Sequence, residues 1–273
     1  MDQIKKAIER SKSERLPDMP RSIMRQGAAG AESTTAQDGR TFRMLTADPA
    51  VLEHHRIVAH GGGSPLAMGF NLLRTTVTQT MTVRRMKTVL VTSPTAGCGK
   101  TVTAINLAMS IARQTPGNTI LADLDFRRPE VANYLGVGAN ADIHAVLKGQ
   151  TPLDEVLFSL DVSGPRLLFL PARSPIAHPA ETLTSPEARN LVGTLRSLAQ
   201  QSFVIFDMPP MLFADDVIAF MPQIDAVLLV IAAGQTTAQE VENCKRLIPE
   251  EKFLGLVLAK SKEKSVHDDY GYY

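Results

Sequence analysis

The residues of this chain equipped for chemistry fall in four short stretches. The first is Thr95-Ala96-Gly97-Cys98-Gly99-Lys100-Thr101-Val102. A run of β-formers, Thr88 to Thr92, stops at Ser93-Pro94 before it. An apolar helical pattern of Val102, Ile105, Leu107, Ala108 and Ile111 follows it. Strand, small-residue loop and helix N-terminus in that order make a phosphate cradle, because backbone N–H groups and the positive end of the helix face one anion. In such a loop Lys100 reaches the β/γ phosphates of ATP and the Thr101 hydroxyl ligates Mg²⁺. Pro94 stands where the motif has its usual first glycine, so the Gly-x-Gly-Lys-Thr core carries the signal.

The second stretch is Asp123-Leu124-Asp125-Phe126-Arg127-Arg128-Pro129, directly after the strand-like Thr119–Ala122. Two carboxylates two residues apart at a strand's C-terminal edge point the same way. That edge is where open parallel sheets hold ligands. Desolvated carboxylates are costly without a cation, which Mg²⁺, Arg127 and Arg128 supply. The third stretch is Asp207, after the apolar run Phe203–Phe206 and before Met208-Pro209-Pro210. An aspartate so placed is the second acidic element with which phosphate-loop proteins hold Mg²⁺. The fourth is Tyr270, Tyr272 and Tyr273, three of the chain's four tyrosines. Exposed terminal tyrosines have no evident packing role, since termini are poorly ordered. Their hydroxyls are free to accept a phosphoryl group.

The elements that position these groups alternate. Strands are expected at 88–92, 119–122, 167–170, 203–206, 226–232 and 253–258. Helices are expected at 66–86, 186–200 and 237–247, with short ones at 142–149 and 152–160. This is an α/β, mostly parallel β-sheet with helices on both faces, a P-loop NTPase fold. Ser185 or Thr184 opens the helix at Pro186. Residues 171–179 read as a loop in which His178 has no second ligand at metal spacing. Residues 42–60 are ambiguous and 61–65 are a hinge. Residues 2–16 form a basic amphipathic helix, and 17–41 a flexible linker.

The chain has 273 residues and a formal net charge of +1, so no global field draws nucleic acid. Two cysteines, Cys98 and Cys244, make neither a disulfide framework nor a metal pattern, which suits a reducing cytosol. Cys98 reads as a small loop residue, with a redox-sensitive thiol as the sharper alternative. No stretch approaches the ~20 apolar residues that span a bilayer. The first residues lack the apolar core of a signal peptide. The expected location is the cytoplasm, peripheral at the inner membrane through a partner.

These residues resemble the bacterial tyrosine autokinases of capsule and exopolysaccharide synthesis, in the form that lacks its own membrane segment. Their three nucleotide motifs are similar to SPTAGCGKT at 93–101, LADLDFRRP at 121–129 and VIFDMPP at 204–210. HPAETLTS at 178–185, DAVLLVIAAGQT at 225–236 and FLGLVLAK at 253–260 agree less specifically. IKKAIERSKSER at 4–15 and the Ala-Asp-Asp of 214–216 look most like the branch associated with exosortase-type polysaccharide systems. The resemblance covers about residues 66–273. It implies a kinase domain over 42–262 between the arm of 1–41 and a tyrosine-bearing tail, 263–273. It implies ATP·Mg²⁺-dependent phosphorylation of Tyr270, Tyr272 and Tyr273 in trans, with Lys100, Asp123, Asp125 and Arg127 catalytic and Thr101, Asp123 and Asp207 at the metal. It further implies a membrane chain-length (polysaccharide co-polymerase) protein as activator, a phosphotyrosine phosphatase, and self-association. The family's self-assembly helix reads Glu-x-x-Arg-x-x-Arg. Here its first two positions fall on Met68 and Asn71 and only Arg74 remains, so the ion pairs of ring assembly are incomplete. Two other readings stand beside it. One is a P-loop ATPase switch like the partition and septum-site ATPases, which carry a signature lysine at the position of Thr95. The other is a nucleotide-binding, non-catalytic adaptor of a membrane polysaccharide machine.

Overall fold

The computed structural model describes residues 33–35, 40–61, 65–138, 140–161 and 167–261. The basic helix expected at 2–16 and the tyrosines of the tail lie outside the described residues. The strands are β1 (Ser33–Thr35), β2 (Thr41–Thr46), β3 (Thr88–Thr92), β4 (Thr119–Asp123), β5 (Phe158–Asp161), β6 (Leu167–Leu170), β7 (Val204–Asp207), β8 (Ala226–Ala232) and β9 (Phe253–Ala259). They form one sheet in the order β1-β2-β5-β6-β4-β7-β3-β8-β9. Its pairings are parallel except β1–β2 and β5–β6.

Every residue of β3, β4, β6 and β7 is buried, as continuous apolar runs in a doubly covered parallel sheet must be. The strand alternation sends Leu90, Ile120, Phe206 and Leu229 to one face, under helix Pro186–Ala199. It sends Val89, Leu121, Ile205 and Leu228 to the other, under helix Lys100–Ala112. In that second helix only Lys100 and Val102 escape full burial, because helix Pro65–Val83 and residues 57–60 cover it from outside. Asn106 fastens that cover: its Oδ1 accepts from Val58 N at 2.8 Å and Ala59 N at 2.9 Å. The ambiguous stretch 42–60 thus resolves into β2, a short helix Pro49–His54 and a strap tied to Asn106. Among the described residues no helix is long and apolar enough to cross a membrane.

Local chemistry sets several boundaries as expected. Ser185 caps Pro186–Ala199, accepting from Ala188 N at 3.0 Å, and Thr237 with Glu240 closes a capping box on Ala238–Leu247. Two expectations fail for tertiary reasons. Residues 152–160 give one helical turn, Leu153–Val156, and then β5, because Phe158–Leu160 pair with β6 on one side and lie along β2 on the other. The loop expected around His178 is present, and His178 is the N-cap of a helix, Pro179–Thr184, that follows it with proline at its start. Ser33–Thr35, inside the expected linker, pair antiparallel with Thr41–Arg43 at the sheet edge.

At the end of the sheet away from the nucleotide loop, Asp225 ties the start of β3. It accepts from Lys87 N at 2.8 Å, Thr88 N at 2.9 Å, Thr88 Oγ1 at 3.0 Å and Arg196 at 2.8 Å. Burial alone would raise its carboxyl pKa. The two amides and Arg196 outweigh burial and hold it below the ordinary range. Asp225→Ala should destabilise the protein by about 2 kcal/mol in urea unfolding at pH 7, since it leaves the part-buried amides of Lys87 and Thr88 without their acceptor and takes the carboxylate from Arg196, which keeps Gln223 O and Thr88 Oγ1. A depressed carboxyl contributes stability that is present above its unfolded pKa, about 3.9, and is lost as pH falls through the folded value. The gap between wild type and variant should therefore close in acid; a gap that persisted at pH 2 would refute the account.

Candidate functional site

The nucleotide loop is shaped by two glycines. Gly97 and Gly99 sit at φ +79° and +95°, in the left-handed region that a side chain disfavours. Gly99 is the N-cap of Lys100–Ala112 and no side chain caps that helix, so its first turn is presented to a ligand. Ser93 Oγ donates to Thr95 O at 2.7 Å and tightens the turn. Cys98 is buried with its Sγ 3.5 Å from Thr95 Oγ1 and 3.6 Å from Thr236 Oγ1, the position of a packing residue. The segment after β7 is laced to the loop's root. Thr92 Oγ1 donates to Pro209 O at 2.6 Å and Met211 N to Ser93 O at 2.8 Å. Sequence reasoning had no signal for this lacing beyond the paired prolines.

Sheet register assembles the acidic groups. Asp123 is the partner of Asp207 across β4–β7, and Val91 is the partner of Asp207 across β3–β7. The strand order therefore sets both aspartates beside the phosphate loop. Lys100 Nζ lies 2.9 Å from Asp125 Oδ2, 3.3 Å from Asp207 Oδ2 and 3.1 Å from Thr101 Oγ1. Thr101 Oγ1 donates to Asp207 Oδ2 at 2.7 Å. Asp123 and Asp125 meet in this cluster by a route other than strand alternation. β4 ends at Asp123, and a turn closed by Asp125 N on Asp123 Oδ1, at 3.1 Å, brings Asp125 to Lys100. Asp123 Oδ2 accepts from Val131 N at 3.1 Å, so Asp123 also organises the turn.

Three buried carboxylates surround one ammonium here, and the proton affinities of Asp123, Asp207 and Lys100 reflect the crowding. Burial, then Asp207, pushes the Asp123 carboxyl well above its ordinary value. Burial also raises Asp207, against the pull of Lys100 and Thr101. Burial alone would lower Lys100, but Asp207 and Asp125 raise it above its usual range. The site calls for another cation. Asp207 Oδ1 is buried without a hydrogen-bond partner among the described residues. A bare carboxylate oxygen beside a threonine hydroxyl fits Mg²⁺, which takes one or two protein carboxylates and fills its shell with phosphate and water. Among the described residues no group of three His, Cys, Asp or Glu offers an all-protein cage, so such an ion would be shared with a nucleotide.

Arg127, expected as a cation for Asp123 and Asp125 and as a catalytic residue, has its hydrogen bonds elsewhere. Its Nε is 2.7 Å from Asp216 Oδ2 and its NH2 3.1 Å from Asp216 Oδ1, with Asp215 Oδ1 at 3.3 Å. Arg128 is exposed and pairs with Glu130 at 2.8 Å. Lys100 is the cation in direct contact with Asp125, and Arg127 acts on Asp125 only from farther off. Asp216 was visible in sequence only as part of the Ala-Asp-Asp stretch. Arg74, the remaining assembly-motif residue, is turned onto its own domain, 3.0 Å from Asn71 Oδ1 and 3.2 Å from Ser110 Oγ. Met68 and Leu72 on the same helix are exposed.

No protein-family model matches the chain. Individual proteins do. It is 30% identical to tyrosine-protein kinase YwqD of Bacillus subtilis over 207 residues, covering 75% of this chain and 84% of YwqD. It is 27% identical to tyrosine-protein kinase CpsD of Streptococcus agalactiae over 208 residues, covering 75% of this chain and 88% of CpsD. Among solved structures, the chimerical protein CapA2B2 superposes with a TM-score of 0.67 at 25% identity, over 80% of this chain and 94% of that one. Likeness over most of both chains joins a phosphate loop whose lysine is held between the aspartate ending β7 and one on the turn after β4, and on those grounds the chain belongs to the bacterial tyrosine autokinase family.

Proposed function

We propose that this protein transfers the γ-phosphoryl group of ATP to tyrosine hydroxyls, chiefly Tyr270, Tyr272 and Tyr273 in the tails of neighbouring copies, and thereby regulates polysaccharide polymerisation and export. The observation that carries this reading is the position of Lys100, between Asp125 and Asp207 at the mouth of the phosphate loop. A polyphosphate in the loop draws Lys100 off Asp125. Asp125 is left facing the incoming hydroxyl and takes its proton as the phenolic oxygen bonds to the γ-phosphorus. The bond from that phosphorus to the β–γ bridging oxygen breaks and ADP leaves. Asp207 and Thr101, with Asp123 beside Asp207 across the sheet, would hold Mg²⁺, which would supply charge stabilisation to the phosphates. Positioning and charge are most of what phosphoryl transfer requires, and this cluster has both.

The partners follow the family. A membrane chain-length protein holds the kinase at the inner membrane and activates it through a cytoplasmic segment. A phosphotyrosine phosphatase resets the tail. Each tail phosphate adds about −1.5 to −2 charges beside Asp268 and Asp269, which opposes tail docking and loosens self-association. The test mixes two chains with ATP, Mg²⁺ and a candidate activator segment: Lys100→Met with its tail intact, and an active chain with all three tail tyrosines changed to Phe. Mass spectrometry should find phosphate on the Lys100→Met tail. Steady ATP hydrolysis without phosphotyrosine would instead identify a switch ATPase, and bound but unturned ATP an adaptor.

A further inference from the structure

Among the described residues four aspartates are buried: Asp123, Asp125, Asp207 and Asp216. Three surround Lys100. Asp216 stands apart, wholly buried in the first turn of the helix Asp216–Phe220. An acid in a first turn helps a helix from the surface as well as from the interior, so helix formation does not explain its burial. Burying a carboxylate costs several kcal/mol unless a partner meets it in good geometry. The partner here is Arg127, through two nitrogens, at 2.7 and 3.1 Å.

That fork joins two segments that converge on the reaction centre. Arg127 lies two residues from Asp125. The segment leading to Asp216 leaves β7 at Asp207 and is bonded to the phosphate loop's root by Met208 N to Val91 O at 3.0 Å, Met211 N to Ser93 O at 2.8 Å and Leu212 N to Pro94 O at 3.3 Å. The inner half of the Asp123–Arg128 turn is anchored by buried Phe126, whose carbonyl accepts from Ile176 N at 3.1 Å. Its outer half has Lys100 on one side and Asp216 on the other. Asp125 N on Asp123 Oδ1 at 3.1 Å and Arg128 N on Asp125 Oδ1 at 3.0 Å are bonds within the turn itself; when Lys100 swings to phosphate, the Arg127–Asp216 fork, with the exposed Asp215 contact beside it, is what still joins the turn to the segment after β7. We infer that Asp216 is a positioning residue for phosphoryl transfer: by gripping Arg127 it sets the turn so that Asp125 faces the acceptor hydroxyl across the phosphate loop. The inference rests on the kinase reading above.

The test uses full-length protein with the activator segment. In Asp216→Asn, kcat for tyrosine phosphorylation should fall about 10- to 100-fold, the cost of a small misplacement of a reacting group, while ATP affinity stays within about twofold. Arg127→Lys keeps the charge, loses the two-point grip, and is the milder variant if Asp216→Asn folds poorly. It should lower kcat in the same direction. The double variant should be no slower than Asp216→Asn alone, because both changes open one tie. Asp215→Asn, at an exposed contact, should stay within about twofold. Independently of activity, amide exchange at 125–128 should quicken at least ~10-fold in Asp216→Asn, with exchange at 104–112 unchanged. Unchanged exchange at 125–128, or faster exchange in both segments together, overturns the inference. So does a double variant whose losses multiply, which would put Arg127 itself on the phosphates. A wild type that never phosphorylates tyrosine would sink the kinase reading, and the exchange result would still judge the tie.

Discussion

Lys100→Met should lower tyrosine phosphorylation at least 10²- to 10³-fold, the usual cost of a preorganised charge on the transferring group. The same change should weaken the fold, in a way that depends on pH. Lys100 is the ammonium that Asp125 and Asp207 both contact, and Asp123 lies in the same buried cluster. Removing it leaves three buried carboxylates without that counter-charge, a loss of about 3 kcal/mol when they are ionised. In the wild type Lys100's raised pKa keeps its contribution whole below its unfolded value of about 10.4 and loses it only above the folded one. In the variant Asp123 and Asp207, already raised, rise further above their unfolded value of about 3.9. A folded state that binds more protons than the unfolded chain loses stability as pH climbs. Urea unfolding should therefore show Lys100→Met close to wild type at pH 5 and clearly weaker at pH 8. A deficit of equal size at both would mean the cluster is not electrostatically strained.

Asp207→Asn should separate activity from stability. It removes the oxygen pair that faces Thr101 and the expected Mg²⁺, so phosphorylation should fall on the order of 10²-fold or more, and added Mg²⁺ should not restore it. Yet the nucleotide-free protein should become more stable. Burial pushes the Asp207 carboxyl up, and Asp207 in turn pushes up Asp123. A neutral isostere relieves both at neutral pH. The expected gain is roughly 2–4 °C in Tm, the shift that about 1 kcal/mol gives a domain of this size. The gain should shrink as pH falls, because protonation progressively neutralises the wild-type carboxyls themselves. Excess ATP and Mg²⁺ should reverse the order, because they stabilise the wild type by mass action and bind the variant less well. A variant that lost both activity and Tm without nucleotide would show that Asp207 is chiefly structural.

Much of the sheet was legible because its strands are buried on both faces. Val89–Val91, Ile120–Ala122 and Val204–Phe206 are apolar runs bounded by small or polar residues, and such runs have few alternatives to a central parallel strand. The phosphate loop was legible for a local reason as well: two glycines at positive φ, then lysine and threonine at a helix start, satisfy their geometry within eight residues. β5 was illegible because Phe158-Ser159-Leu160 has no strand character beyond what β2 and β6 impose on it. Asn106 was hidden because a lone polar residue in an apolar helix gives no hint that residues 56–59 return to claim it.

The same division runs through the site. Residue types and local spacing were enough to nominate Lys100, Thr101, Asp123, Asp125 and Asp207, and to associate them with ATP and Mg²⁺, because each sits where a strand ends or a helix starts. Their order around Lys100 was a tertiary matter. Parallel register across β3, β7 and β4 brought Asp207 beside Thr101, and an Asx-type turn delivered Asp125 to the lysine. Arg127 was read as a counter-charge for Asp123 and Asp125, since a guanidinium beside two carboxylates looks like their partner. Asp216, 89 residues later in the chain, meets it instead. A contact over that separation is decided by where the helix after β7 packs, and no local pattern encodes it. The sequence determined which groups the reaction has at hand; the packing of the sheet and its crossovers decided which of them face one another.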